Sequence, residues 1–210
     1  MIAETRRQDF QGCYVQETIA REYIEGKNFA HLIGYTAKTS PEELENLKDY
    51  SVVDQIGKTG IEKAYEQSLR GEPGKTIVER DSSGRALGAP NQIPGVAGYS
   101  VVLWLKSGFQ KQLVSSLGQV FADTGAKKAA AVALDPKTGG VLALVSLPAF
   151  DNNLFNQGVS REAWEKLLRD PSDPLFNRAM SGIGFPTGSV IKPLVALGAL
   201  QEGVIKEDTS

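Results

Sequence analysis

Residues 184–203 read Gly-Phe-Pro-Thr-Gly-Ser-Val-Ile-Lys-Pro-Leu-Val-Ala-Leu-Gly-Ala-Leu-Gln-Glu-Gly, and this stretch decides how the rest of the sequence is interpreted. Two glycines and a proline form a tight, rigid entry to the apolar run that follows Ser189. That run leaves almost no polar face, and a helix that is apolar all round is typical of a buried helix. The stretch therefore predicts a buried helix that begins at Ser189 and ends at Gly203.

Ser189 and Lys192 form the one Ser-x-x-Lys pattern in the chain. Residues three apart share a face of a helix, so the lysine amine is expected beside the serine hydroxyl. A serine hydroxyl becomes a useful nucleophile when a base takes its proton, and a lysine can be that base if burial lowers its pKa. The bare pattern also arises by chance, in which case Ser189 caps the helix and Lys192 is solvated.

The composition excludes several classes of function. A formal net charge of -2 offers no basic surface, so we expect no nucleic-acid partner. No stretch approaches the roughly 18 apolar residues of a membrane-spanning helix, and no signal-peptide pattern follows Met1. Cys13 is the single cysteine, which rules out an intrachain disulfide. Composition alone therefore suggests a cytoplasmic protein, an interpretation that the motifs below overrule.

Local patterns in the first ninety or so residues predict short, mixed elements. Ser40, Pro41 and Glu43 form a helix-start signal, in which serine caps, proline takes the first position and glutamate completes a capping box. The remaining predictions are the end of this helix near Lys48, a helix over residues 61–69 that Gly71 ends, a strand over residues 75–80, a turn at residues 81–84 and a Gly- and Pro-rich boundary at residues 88–98.

The second part of the chain predicts larger elements. A strong hairpin is expected from the runs Ala129–Leu134 and Val141–Leu147, which a turn at residues 135–139 joins. The other predicted elements are a strand over residues 99–105, a helix over residues 109–121 with Leu113, Leu117, Val120 and Phe121 facing inward, and a short helix over Arg161–Arg169.

Segments of this second part resemble the catalytic domain of the class B penicillin-binding proteins. The Asn-Arg-Ala of residues 177–179 and the Phe-Pro-Thr-Gly-Ser-Val-Ile-Lys-Pro of residues 185–193 resemble the region around that family's nucleophile. Residues 133–139 and 144–151 resemble the hairpin and the loop that precede it.

Other segments extend the resemblance over about residues 20–205, in the family's order. The Gly-Lys-Thr-Gly-Ile-Glu of residues 57–62, followed by Tyr65-Glu66 and by the Leu-Arg-Gly of residues 69–71, resembles the non-catalytic pedestal domain. Asn153-Leu154-Phe155 and the segment from Trp164 through Pro174-Leu175 are similar to the elongation-type (rod-shape) branch rather than to the division branch.

The resemblance implies an α+β fold in two parts. Residues 1–94 would form a pedestal-like segment of the dimerisation type, without catalytic residues. Residues 95–210 would form the N-terminal part of a penicillin-binding transpeptidase domain, which is similar to the serine β-lactamase fold, and would stop after the nucleophile helix. The family's N-terminal anchor helix has no counterpart in these residues, so we expect a chain shortened at both ends.

The resemblance also implies a reaction, with Ser189 as the nucleophile and Lys192 as the general base. Ser189 would attack a D-Ala-D-Ala end of a peptidoglycan stem peptide and release D-alanine, and an amine of a neighbouring stem peptide would resolve the acyl-enzyme into a cross-link. β-Lactams imitate the D-Ala-D-Ala end and would acylate the same serine. No cofactor and no metal is implied.

The implied setting is cell-wall elongation at the extracytoplasmic face of the cell membrane. The partners expected from the resemblance are peptidoglycan stem peptides, β-lactams, a SEDS-type glycan polymerase and other proteins of the elongation complex. This expectation overrules the cytoplasmic location that composition alone suggests.

The sequence also departs from the family's pattern. The family needs a Ser-x-Asn motif and a Lys-Thr-Gly or Lys-Ser-Gly motif after the nucleophile, and this chain contains no Ser-x-Asn. Lys-Thr-Gly occurs at residues 58–60 and 137–139, but both precede Ser189 and neither is the family's substrate-binding strand. We therefore expect the 210 residues by themselves to be catalytically incomplete.

Two other classes of protein remain compatible with these motifs. A serine β-lactamase or β-lactam sensor also uses Ser-x-x-Lys, and the pedestal-like segment argues against it. A non-catalytic module of cell-wall assembly would use the pedestal-like segment to dock a partner. His31, the one histidine, is expected to be structural, and Cys13 an inert thiol.

Overall fold

A computed structural model describes residues 20–47, 50–156, 158–180, 186 and 188–209. The chain forms two compact units, one that extends to Ala179 and one that starts at Met180. Helices and strands are both present, as the predicted α+β class requires.

The first unit opens with a small layer of helices on a two-stranded sheet. Strand β1 (Thr36–Lys38) pairs antiparallel with β2 (Gln55–Gly57). Around them lie α1 (Gly26–Ile33), α2 (Pro41–Asn46), α3 (Gly60–Ala64) and α4 (Glu66–Arg70).

The predicted capping box of α2 is confirmed. The Glu43 main-chain N–H donates to the Ser40 hydroxyl, and the Ser40 N–H donates to the Glu43 carboxylate at 2.8 Å. These bonds satisfy two donors that the first turn of a helix leaves open. The helix ends at Asn46, and the predicted end at Lys48 lies outside the described residues.

The prediction of one helix over residues 61–69 is wrong, because Tyr65 separates α3 from α4 with φ -114° and ψ 21°. The Glu66 carboxylate explains the break. It accepts from the Gly57 N–H at 2.8 Å and from the Tyr50 hydroxyl at 3.0 Å, which fixes the start of α4 against β2. The predicted stop is confirmed, since Gly71 follows α4 with φ 69°.

An exposed hairpin follows, made of β3 (Lys75–Ile77) and β4 (Asn91–Ile93). The predicted strand over residues 75–80 is therefore shorter, although Arg80 bridges Ala86 beyond its end. The turn at residues 81–84 is confirmed, since the Asp81 carboxylate accepts from the main chain of Ser83 and Arg85. The Gly- and Pro-rich segment at residues 88–98, where the sequence predicts a domain boundary, contributes β4.

The predicted strand over residues 99–105 is not formed. The Tyr99 N–H donates to the Ser68 carbonyl at 2.7 Å, and the Lys106 N–H donates to the Leu142 carbonyl at 2.9 Å. Single bonds at the two ends of the segment replace the ladder that a strand needs. Several of its apolar side chains are open to solvent, with Val102 91% exposed, while Val101 and Leu105 are half-buried.

Helix α5 spans Ser107–Thr124, longer than the predicted helix over residues 109–121. Its buried residue is Gln110, at 1% exposure, and the expected inward residue Val120 is exposed. Leu113, Leu117 and Phe121 are half-buried. Gln110 displaces the expected contact because its amide pairs with both main-chain groups of Leu144, at 2.8 and 2.7 Å.

The predicted second hairpin is confirmed, with β5 (Ala129–Leu134) antiparallel to β6 (Val141–Leu147). The Asp135 carboxylate accepts from the Lys137 N–H and from the Thr138 hydroxyl, and Gly139 adopts φ 73°. A residue with a side chain rarely adopts this left-handed backbone conformation, so glycine suits this position of the turn. Strand β6 is the buried one, with four consecutive buried residues.

The remainder of the first unit packs around an aromatic cluster. A 3₁₀-helix (Asn152–Phe155) and α6 (Arg161–Arg169) follow β6, and α6 has the bounds that the sequence predicts. The Phe155 ring stacks on Tyr35 at 3.8 Å between centroids and meets Phe150 edge-on at 5.8 Å. Ala30 completes this buried core, which joins α1 to the segment after β6.

The second unit holds a 3₁₀-helix (Gly188–Ile191) that runs directly into α7 (Lys192–Gln201). Gly203 ends this element with φ 70°, as predicted. In the part of the chain that the structure describes, no helix combines the length and apolar character needed to cross a membrane.

Candidate active site

The structure places Ser189 in the 3₁₀-helix and Lys192 at the first position of α7. The two positions are three residues apart across the junction of the 3₁₀-helix and α7, a spacing that places side chains on one face of a helix. Gly188 enters the turn with φ 58°, a left-handed conformation that favours glycine. Pro193 lies at the start of α7, where a missing N–H costs little. Gly184, Phe185 and Thr187 of the same motif lie outside the described residues.

The prediction that this helix is buried is wrong for the structure. Val190 is 84% exposed and Leu194 65% exposed, and Ser189 and Lys192 are exposed too. The physical reason lies within the second unit, whose described residues offer this helix no other helix or strand to pack against. The apolar pattern therefore marks a surface suited to burial that these residues leave open.

The Asn-Arg-Ala segment lies at the end of the first unit, and Arg178 organises it. The Arg178 guanidinium donates to the Asp173 and Phe176 carbonyls at 3.1 Å each and to the Ser172 carbonyl. The buried Ser146 hydroxyl of β6 accepts from the Arg178 N–H at 3.0 Å and donates to the Phe176 carbonyl at 3.2 Å. One side chain and one buried hydroxyl thus tie this loop to β6.

Both Lys-Thr-Gly motifs lie in the first unit and have local contacts there. The Lys58 amine forms an ion pair with the Glu43 carboxylate of α2, and this hydrogen bond, joined by the Ser40 N–H, lowers the pKa of Glu43. The second motif forms the turn of the β5–β6 hairpin. Both motifs therefore have local structural contacts, as expected of chance matches.

His31 is a packing residue of α1. Its ring meets Phe150 edge-on at 5.3 Å between centroids, and burial lowers its pKa. Its Nε2 is buried and has no hydrogen-bond partner among the described residues. Burial against an aromatic ring fits a structural role for His31, as the sequence suggested.

Two kinds of buried polar residue escaped the sequence analysis. Glu62 is 5% exposed, pairs with Arg21 at 3.2 Å and has its pKa raised by burial, an effect that Arg21 partly offsets. Side-chain amides form the other kind, since Gln110 and Asn152 are almost completely buried. Each of these residues is a single polar residue in the sequence, and no motif or spacing predicts that it is buried.

The described ranges contain no group of three or more histidine, cysteine, aspartate or glutamate side chains placed to hold a metal ion. The side chains available for chemistry at the start of α7 are a hydroxyl and an amine. Such a pair can carry out acyl transfer, in which the amine takes the hydroxyl proton and the oxygen attacks a carbonyl.

Comparison with protein-family models gives two matches along the chain. Residues 1–103 match the penicillin-binding protein dimerisation domain. Residues 129–210 match the penicillin-binding protein transpeptidase domain. The two matches follow one another in the order that the resemblance predicted.

Curated relatives carry the same two-part region. The peptidoglycan D,D-transpeptidase MrdA of Escherichia coli K12 is 38% identical over 207 residues, which cover 96% of this chain and 31% of the relative. The protein of the same name from Haemophilus influenzae is 37% identical over 202 residues, 93% of this chain and 30% of the relative. The chain thus spans about a third of the length of the curated relatives it matches.

Solved structures agree in fold. A structure of Pseudomonas aeruginosa PBP2 in complex with WCK 5153 superposes with a TM-score of 0.73 at 34% identity, over 90% of this chain and 37% of that one. A complex between PBP2 and MreC from Helicobacter pylori gives a TM-score of 0.80 at 27% identity, over 99% of this chain and 38% of that one.

Proposed function

The chain belongs to the class B penicillin-binding proteins, and on this basis we propose that the full-length protein is a peptidoglycan D,D-transpeptidase acting in cell-wall elongation. The observation that supports its chemistry most directly is the Ser189–Lys192 pair, three residues apart where a 3₁₀-helix runs into α7. Within the same proposal, residues 1–94 are the pedestal segment and residues 95–210 belong to the transpeptidase domain.

In the proposed acylation, Lys192 accepts the proton of the Ser189 hydroxyl while the oxygen attacks the carbonyl of the penultimate D-alanine. The peptide bond breaks, the terminal D-alanine leaves with a proton on its amine, and the stem peptide stays on Ser189 as an ester. The N-terminus of a helix favours negative charge that develops nearby, and α7 presents such an end. An amine of a second stem peptide then attacks the ester and forms the cross-link.

The proposed partners follow from the relatives. Relatives named MrdA and structures named PBP2 support an elongation-type protein, and the Helicobacter pylori structure was solved with MreC bound. We place the full-length protein at the extracytoplasmic face of the cell membrane. Its partners there would be peptidoglycan stem peptides, β-lactams, elongation-complex proteins and a SEDS-type glycan polymerase.

The test is D-alanine release from a stem pentapeptide that ends in D-Ala-D-Ala, measured with the full-length protein. Ser189→Ala should reduce the rate on the order of 10⁶-fold, the loss typical when a serine nucleophile is removed. Lys192→Ala should lose nearly as much, and the double variant no more, because groups that act as one unit are not additive.

Matched controls are Ser116→Ala on the exposed side of α5 and Lys206→Ala after α7. Both should release D-alanine at the wild-type rate. Release that persists in Ser189→Ala would assign the reaction to another nucleophile, and an unchanged rate in Lys192→Ala would remove the lysine from the proposed mechanism.

A further inference from the structure

Three asparagines hold the segment after β6 against the pedestal segment, and we name Asn152, Asn153 and Asn156 the amide clamp. Each donates its Nδ2 to a main-chain carbonyl of residues 21–34: Asn152 to Gly34 at 2.7 Å, Asn153 to Tyr23 at 3.0 Å, and Asn156 to Arg21. The donors lie in the part matched by the transpeptidase model, and the acceptors lie in the part matched by the dimerisation model. The clamp therefore spans the junction of the two parts.

The two sides of the junction exchange hydrogen bonds, with donors and acceptors on each side. The Asn153 Oδ1 also accepts from the Tyr23 N–H at 2.9 Å, so this side chain pairs with Tyr23 as a neighbouring strand would. The Asn156 carbonyl accepts from the Gln55 side chain of β2 at 3.0 Å. A reciprocal pair fixes register and orientation, whereas stacking of Phe155 on Tyr35 tolerates sliding.

One member of the clamp is enclosed, whereas Asn153 is exposed and Asn156 is half-buried. Asn152 is fully buried, and its Oδ1 has no hydrogen-bond partner among the described residues. The Nδ2 of the same amide is bonded to the Gly34 carbonyl at 2.7 Å. A methyl group on Gly26 of α1 would lie 2.6 Å from that oxygen and 3.2 Å from the Asn153 Nδ2. Helix α1 thus approaches the clamp as closely as a glycine allows.

We propose that the amide clamp fixes residues 152–156 of the transpeptidase-matched part on the pedestal segment, and that Asn153 is thereby a positioning residue for acyl transfer at Ser189. This inference rests on the proposed function. From the clamp, the chain continues through α6 and the Arg178 loop into the segment that carries Ser189. The clamp bonds to main-chain atoms of residues 21–34, so its contacts do not depend on the side chains there.

The experiment measures acylation of the full-length protein by a fluorescent penicillin, with the limiting rate and the half-saturation concentration determined separately. Each rate is divided by the number of titrated sites, so a loss of folded protein alone does not alter it. Asn153→Ala should keep the half-saturation concentration and lower the limiting rate about tenfold or more, since a 1 Å misplacement can cost about 100-fold.

Gly26→Ala provides an independent perturbation, because its added methyl meets the Asn152, Asn153 and Asp151 side chains and leaves every clamp amide in the sequence. It should lower the limiting rate in the same way. The matched control is Asn46→Ala, which removes an exposed amide that bonds to the Glu42 carbonyl within its own helix, and it should acylate at the wild-type rate.

Wild-type limiting rates in both Asn153→Ala and Gly26→Ala would overturn the inference. So would a loss confined to the number of titrated sites, because that result describes a stabilising role and no positioning. A wild-type protein that is not acylated at all would refute the proposed function, and with it the inference. These failures are distinguishable, since only the last affects the wild type.

Discussion

At the residue scale, Glu62 is the carboxylate in the least usual surroundings. It lies in α3 at 5% exposure, with Arg21 at 3.2 Å and one carboxylate oxygen without a hydrogen-bond partner among the described residues. Burial raises its pKa above the ordinary value of 4.5, against the opposing effect of the Arg21 charge. The folded chain therefore binds a proton at Glu62 more tightly than the unfolded chain does.

This shift makes the free energy of unfolding depend on pH. Between pH 4.5 and the raised pKa, folded Glu62 keeps a proton that the unfolded chain has released, so its contribution to stability is lost as pH rises through the folded pKa. Relative to Glu62→Gln, the wild type should lose up to about 1.4 kcal/mol per pH unit in that window. The measurement is denaturant unfolding of the chain at several pH values. Parallel curves for wild type and Glu62→Gln would contradict it, and the exposed Glu202→Gln serves as the control.

Sequence reasoning succeeded at residues whose partners are close in the chain. Ser40 and Glu43 are three positions apart, and their reciprocal bonds follow from local geometry. Gln110 and Asn152 find their partners 34 and 118 residues away, so only the folded chain identifies them as buried amides. Ser189 and Lys192 are close in the chain, so their spacing could be predicted from the sequence. Their chemical roles were inferred from the resemblance to the family.

At the scale of elements, the same distinction separates the correct predictions from the wrong ones. The β5–β6 hairpin and α6 have the predicted bounds, because alternation and capping act within a few residues. The segment over residues 99–105 has the composition of a strand and lacks the ladder, which a distant partner must supply. The contacts of Glu66 with Gly57 and Tyr50 likewise divide a helix that its own periodicity would continue.

Two glycines give opposite predictions for the same substitution. Gly139 of the hairpin turn has φ 73°, and Gly118 lies inside α5, while an added methyl would meet nothing within 4 Å at either position. Gly139→Ala should lower the free energy of unfolding by about 1–2 kcal/mol, the cost of a left-handed backbone with a side chain. Gly118→Ala should raise it by about 0.5–1 kcal/mol, because alanine loses less entropy in a helix. Denaturant unfolding of both variants checks this, and equal effects of the same sign would contradict it.

At the scale of the whole molecule, two matched parts of one family are joined through α1, the aromatic cluster and the amide clamp. The order of these parts was predictable from motifs. The contacts that join them could not be predicted, because the clamp side chains bond to main-chain carbonyls, which every residue has. The chain spans about a third of the length of its curated relatives. The central claim therefore concerns the full-length protein and the identity of its nucleophile.

The most direct test of that claim is to locate the acylated residue. The full-length protein is incubated with a fluorescent penicillin, digested, and its labelled peptide is sequenced by mass spectrometry. We expect one equivalent of label on the peptide that contains Ser189, with the adduct mass on the serine itself. Label on a different residue, or stoichiometric label in a protein that carries Ser189→Ala, would contradict the account.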